Sequence, residues 1–303
     1  MFKTIINAWK IADLRKKMLF TALIVFIFRL GAALPVPFVN ISGGLISDQN
    51  ANNFMTYLSM MTGDAFNYGT LFAMSITPYI NASIIIELLT VAIPALERLA
   101  KEGEEGRKKI STITRYSSVV LALMQSTAYY FYIRSQNYLS LDADGNKFTG
   151  FFAVLQAITI IFCYTAGASL IMWLGEQINE KGIGNGISII LFAGIVSRMP
   201  TTLYSLYSYM DKGGAYYALA PIAFVSLILM IGFIVWMDNA ERRIPVQYAK
   251  RVVGRKMYGG QSTHIPIKVN MCGVLPIIFA SSILSLPPTI QMFVTVKEDG
   301  FWA

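Results

Sequence analysis

The side chains best placed to do work in this sequence would do it by excluding water. In Ser75-Ile76-Thr77-Pro78-Tyr79-Ile80-Asn81-Ala82-Ser83, Ile76 and Ile80 stand one helical turn apart on a common face. Ile187 and Leu191 repeat that spacing directly after the turn Gly182-Ile183-Gly184-Asn185-Gly186. Aliphatic side chains converging from different helices would make a hydrophobic constriction, which closes a pore to water and ions without a charged gate. Ordinary helix packing explains the same spacing, so both explanations stand at this point.

Covalent chemistry lacks its parts. The sequence contains no HExxH, GxSxG, P-loop or paired metal-ligand spacing, and His264 is its single histidine. Gly182-x-Gly184-x-Gly186 follows an apolar helix rather than a strand, which removes it as a dinucleotide loop. Cys163 and Cys272 each lie inside an apolar run without a CxxC partner and are expected to be small buried hydrophobes, not a disulfide or a zinc site. No cofactor, no metal and no enzymatic activity are expected. Glu87 and Arg29 are the ionisable groups inside apolar runs. Each either serves an ion pathway or sits close enough to an interface to be solvated or paired, and the second role is expected for both.

These residues need a bilayer around them. Of 303 residues, 55% are hydrophobic and 14% charged, and the mean hydropathy is +0.53, too apolar for a soluble domain. The net charge of +8 falls in short clusters between apolar runs, not on one solvated face as nucleic-acid binding would require. Runs long enough to cross the hydrocarbon core cover about 18–34, 71–93, 117–133, 151–174, 187–206, 216–236 and 271–292. Arg198 and Pro200 interrupt the fifth. The first is followed by Pro35-Val36-Pro37 instead of a small-residue cleavage site, so it is expected to be a retained span.

Seven alternating crossings place 19 of the 25 Lys and Arg on the side of the N-terminus. The positive-inside rule makes that side cytoplasmic. The second run carries Ser75, Thr77, Pro78, Asn81 and Ser83, which are costly at depth unless they face protein or water, so this span is expected to line something. Between the first two runs, residues 53–64 are apolar but too short to cross, as in a re-entrant segment, and Met60 and Met61 suit reversible packing. The linker 238–270 carries seven positive charges and alternates apolar with basic residues about Gly254, which predicts a projecting hairpin able to meet anionic lipid, an acidic partner or ribosomal RNA.

Residues 79–90 (YINASIIIELLT), 106–116 (GRKKISTITRY), 172–190 (MWLGEQINEKGIGNGISII), 248–254 (YAKRVVG) and 261–282 (QSTHIPIKVNMCGVLPIIFASS) together resemble the SecY family. The resemblance implies an all-α, polytopic membrane protein with the family's inverted-repeat channel fold, ten helices in two halves. Here residues 1–210 would be the N-terminal half and 211–303 an incomplete C-terminal half, with about seven helices present. It further implies a bacterial cytoplasmic-membrane channel that passes unfolded preproteins across, and transmembrane segments sideways into lipid. The implied pore ring is Ile76, Ile80, Ile187, Leu191 and Ile278. The implied plug includes Phe54, Met55, Tyr57, Leu58, Met60 and Met61. Gln125 and Asn270 resemble lateral-gate contacts, and Arg243, Lys250, Arg251, Arg255 and Lys256 resemble the surface that meets the SecA motor or the ribosome. Implied partners are the SecE and SecG subunits, SecA, the ribosome, preprotein signal sequences and membrane lipid.

Two departures from the family pattern stand out. Glu87 occupies a position where the family usually has glutamine, and the chain stops at Ala303 just after the seventh run, as a fragment lacking the last three helices would. The rival class is a small-solute secondary transporter, which also uses repeats and broken helices. A transporter should place ionisable groups at the midplane, whereas the candidate lining is aliphatic.

Overall fold

The computed structural model of the chain describes residues 9–41, 43–45, 59–140, 148, 150–211, 216–246, 251–253, 256–258, 263–270, 273, 280 and 284. Eight helices are described: α1 (Ala12–Gly31), α2 (Thr77–Ala92), α3 (Pro94–Lys101), α4 (Glu104–Ser135), α5 (Phe151–Lys181), α6 (Gly186–Ser197), α7 (Met199–Asp211) and α8 (Tyr216–Asp238). Contacts divide the chain into two compact units, Met1–Pro200 with Ser282–Ala303, and Thr201–Ser281.

In the first unit, α2 packs against α4, α4 against α5, α5 against α6, and α1 against both α5 and α6. One core cluster, centred on Tyr129, Tyr164, Ile133 and Ile160, joins α4 and α5 to the chain around Phe66. The other brings Ile24 and Phe28 of α1 onto Phe72, Ile76, Ile171, Leu174, Ile178 and Ile190.

The second run departs from its expected form. Only Thr77–Ala92 is helical, 16 residues, a rise of about 24 Å where the hydrocarbon core needs about 30 Å. Residues 71–76 enter as turns. Pro78 suits a helix start, and Ser75 just before it takes a left-handed φ of 50°. Backbone groups at that depth must be paired; the Leu71 N–H donates to the Leu34 carbonyl, Ala73 to Thr70 and Ser75 to Phe72, each at 2.9 Å. At the other end Ile93 is extended before Pro94, and α3 leaves α2 at a bend of 101°. The fifth run is interrupted for a single residue at Arg198, between α6 and α7, and 186–211 otherwise continues as one apolar span of 26 residues.

In the second unit, α8 is apolar along nearly its whole length and exposed on nearly every side. The basic linker forms two antiparallel ladders: β1 (Glu241–Val246) pairs with β4 (Thr263–Lys268), and β2 (Arg251–Val253) with β3 (Lys256–Tyr258). The hairpin pairing expected within this linker is seen between β2 and β3, and β1 and β4 add a separate two-stranded ribbon, because β1 pairs with the returning strand instead of with its neighbour in sequence. Pro245 and Pro266 are tolerated since both base strands are edges. At the ribbon's foot the Val269 N–H donates to the Ala240 carbonyl at 3.0 Å. The seventh run, 271–292, lies almost wholly outside the described residues.

Candidate functional site

The Gly-rich turn sets α6 in place. Asn185 caps the helix, its Oδ1 accepting from the backbone N–H groups of Ile187 at 3.0 Å and Ser188 at 3.4 Å, which satisfies two donors that a helix start leaves open. Asn179 Oδ1, from the end of α5, accepts the Gly186 N–H at 2.7 Å. Gly186 has no side chain to hold the two helices apart: a Cβ there would collide with the Gly175 carbonyl. Ile187 and Leu191 are thereby carried into the cluster that contains Ile76. Asn185→Ala is expected to cost about 1 kcal/mol, read as a lower thermal midpoint in detergent. An unchanged midpoint would mean that Asn179 alone sets the helix start.

Four of the five aliphatic candidates share this cluster. Ile76 is 1% exposed and belongs to its core, while Ile80, Ile187 and Leu191 are half-buried along its margin. Ile190, which the spacing did not single out, is fully buried and packs with Ile76 over Gly175. Its signal was present one residue before Leu191, in a run apolar on every face. Ile278 lies outside the described residues.

The short segment after the first helix is described from Ser59. Residues 59–62 form one helical turn and 63–69 a series of turns. Met61 is half-buried and Met60 exposed; Phe54, Met55, Tyr57 and Leu58 fall outside the described residues. Beyond Asp64 the chain is pinned by two tyrosines. The Tyr129 hydroxyl donates to the Phe66 carbonyl at 2.5 Å and the Tyr164 hydroxyl to the Gly69 carbonyl at 3.0 Å, and the Tyr129 ring lies 4.7 Å from Phe66 and 5.1 Å from Tyr164. Such stacking adds to the burial of the rings themselves.

The remaining sequence candidates belong to different units. Gln125 is half-buried in α4 of the first unit. Asn270 belongs to the second unit, is exposed, donates to Asp238 Oδ1 at 3.1 Å and accepts the Gly273 N–H at 3.0 Å. Arg243 is exposed on β1; Arg251 begins β2 and Lys256 begins β3, while Lys250 and Arg255 lie outside the described residues. Glu87 is exposed on α2. Arg29 is exposed and donates to the Ser197 hydroxyl at 3.2 Å. Arg115, within one of the resembling strings, pairs with Glu176 at 2.6 Å and ties α4 to α5.

Helices long and apolar enough to cross a membrane, one of them sharply bent into its neighbour, and a buried non-helical segment packed against them define a polytopic membrane protein. The SecY family model matches residues 70–302, and the chain belongs to that family. Protein translocase subunit SecY of Corynebacterium glutamicum is 44% identical over 311 residues, covering 98% of this chain and 68% of the relative. The same subunit of Streptomyces scabiei is 42% identical, covering 97% of this chain and 68% of the relative. A solved protein-conducting channel superposes with a TM-score of 0.61 at 19% identity, covering 92% of this chain and 58% of that one. That likeness speaks for the fold. The chain thus spans about two thirds of the length of its curated relatives and less of the solved channel. The transporter alternative finds no support among them.

Proposed function

We propose that this chain is the channel-forming subunit of a bacterial protein-export translocase, which passes unfolded preproteins across the cytoplasmic membrane and releases transmembrane segments sideways into lipid. The observation that carries this reading is the meeting of Ile76 at the N-cap of α2, Ile80 of α2 and Ile187 and Leu191 of α6 in one apolar cluster, beside a buried, hydrogen-bonded segment that is not helical. Such a waist gives way to a chain of any sequence because it offers no fixed polar contacts, and it dewets when empty. Residues 1–210 form the N-terminal half and 211–303 part of the C-terminal half. Ile278 is the fifth member of the ring, residues 54–64 seal it, and Gln125 and Asn270 belong to the lateral opening.

The N-terminus is cytoplasmic, in line with the side that carries most Lys and Arg. The chain is not itself an enzyme, so the work of transport comes from partners: the SecA motor or the ribosome at the basic ribbon, with SecE and SecG completing the membrane assembly and signal sequences and lipid at the lateral opening. The test is transport by the assembled translocase in proteoliposomes. A precursor that becomes protease-protected only with motor and ATP supports the channel, whereas solute counterflow with no precursor movement supports a transporter.

The ribbon gives a separate prediction. Reversing Arg251 and Arg255 to glutamate is expected to weaken motor or ribosome association about tenfold at physiological salt, measured by flotation with proteoliposomes. Unchanged binding would remove the ribbon from that role.

A further inference from the structure

One charged cluster in the first unit belongs to neither the aliphatic waist nor the basic ribbon. Arg198, at the C-terminal end of α6, reaches Asp64 with Nε 3.2 Å from Oδ2, and the two side chains keep only 28% and 23% of their exposure. The other carboxylate oxygen of Asp64 accepts from the Ser59 hydroxyl at 2.9 Å. That hydroxyl lies 3.5 Å from Arg198 Nη1, and Ser59 is fully buried. From α1, Arg29 Nη1 reaches the Gly63 carbonyl at 3.5 Å and Ser197 Oγ at 3.2 Å. Ser197 in turn donates to the Gly194 carbonyl at 2.7 Å.

The backbone at this point is built for close approach and for turning. Gly63 and Asp64 are consecutive left-handed residues, φ 63° and 70°, a conformation that suits glycine and is tolerated by aspartate. A Cβ on Gly63 would stand 2.7 Å from the Gly194 carbonyl, and one on Gly194 would stand 2.9 Å from the Met61 carbonyl. The segment therefore lies directly on the α6 backbone. A cation at the end of α6 also meets the negative end of the helix dipole, so Arg198 is fixed on α6 and Asp64 on the segment. Past Asp64 the tyrosine pins hold the chain whatever happens before it.

The geometry points to Arg198 and Asp64 as positioning residues: an ionic latch that holds residues 59–64 against α6 and sets how firmly the resting channel is sealed, with Arg29 as a second clamp from α1. This rests on the channel proposed above. The pair grips the segment at the turn itself; backbone bonds across that turn, from the Asp64 N–H to the Ser59 carbonyl at 3.0 Å and from the Ala65 N–H to the Thr62 carbonyl at 3.4 Å, keep residues 59–64 together, so opening the pair releases that whole turn from α6.

The test is resting ion conductance of the assembled translocase in planar bilayers, for Asp64→Arg, Arg198→Asp and the double exchange. Each single reversal is expected to raise the leak about fivefold, and the exchange to return it to within about twofold of the parent. Raising salt should bring the parent toward the single variants, since a partly exposed pair is screened. Asp64→Asn and Arg198→Gln, with thermal midpoints near the parent, separate lost latching from lost folding. Single variants that leak no more than the parent, or an exchange that leaks as much as the singles, would overturn the latch. Ile80→Asp in the same bilayers separates the two levels. If it leaks while the latch variants are silent, the latch fails and the channel stands; if it is silent too, the channel fails and the latch with it.

Discussion

Ile80→Asp in the assembled translocase is expected to leak ions at rest by about tenfold or more over the parent. Ile80 sits half-buried at the margin of the cluster, one turn beyond Ile76 on α2. In the proposed channel a closed waist of aliphatic side chains excludes ions because water will not fill it, and a carboxylate among them recruits water. Fully burying an isoleucine side chain is worth about 1.5–3 kcal/mol, and about 1.4 kcal/mol of lost barrier is already a tenfold rate. The position matters as much as the chemistry. Ile76, 1% exposed and packed with Ile190, would unfold the cluster if charged, so Ile80 and Leu191 are the informative sites. Single-channel recording checks it, and Ile80→Asp bilayers as tight as the parent's would remove the waist.

The sequence carried much of this arrangement because its strongest signals are local. The Gly-rich turn before Ile187 announced a helix start, and Asn185 and Gly186 do what their types allow: one caps, the other permits contact. The break at Arg198 was equally visible as a charge and a proline in an apolar run. What escaped was whatever depends on backbone shape at apolar positions. Residues 71–76 are as greasy as a span, yet they run as turns into a helix that begins at Thr77; hydropathy counts side chains and is blind to that. The ion pair of Arg198 with Asp64 escaped because the partners are remote in sequence, Arg198 standing 139 residues from Ser59 in the same cluster. The tyrosine pins were hidden for the same reason, since Tyr129 and Tyr164 read as ordinary aromatics until their hydroxyls meet the carbonyls of Phe66 and Gly69.

Gly186→Val is expected to destabilise the first unit by about 3 kcal/mol or more, the range of overpacking against atoms that have nowhere to go. The added Cβ would collide with the Gly175 carbonyl and stand 2.9 Å from Ile178 Cβ. Gly175 and Ile178 lie in the last two turns of α5, both buried, and the Ile178 carbonyl accepts the Gly182 N–H at 2.8 Å, so neither can step aside without breaking the end of that helix. The strain must fall on α6, which would back away, lose the bond from the Gly186 N–H to Asn179 and pull Ile190 out of the space it shares with Ile76 over Gly175. Two residues earlier, Gly184 provides the control. It has a left-handed φ of 73°, but a Cβ there would meet only Ile189 Cδ1 at 3.8 Å, so Gly184→Ala carries the backbone penalty alone, about 1–2 kcal/mol. Thermal unfolding in detergent and protease resistance in membranes should rank parent, Gly184→Ala and Gly186→Val in that order. If Gly186→Val proves as stable as Gly184→Ala, the approach of α6 to α5 is not what holds Ile187 and Leu191 in the cluster with Ile76, and that cluster must be positioned by α1 and α2 instead.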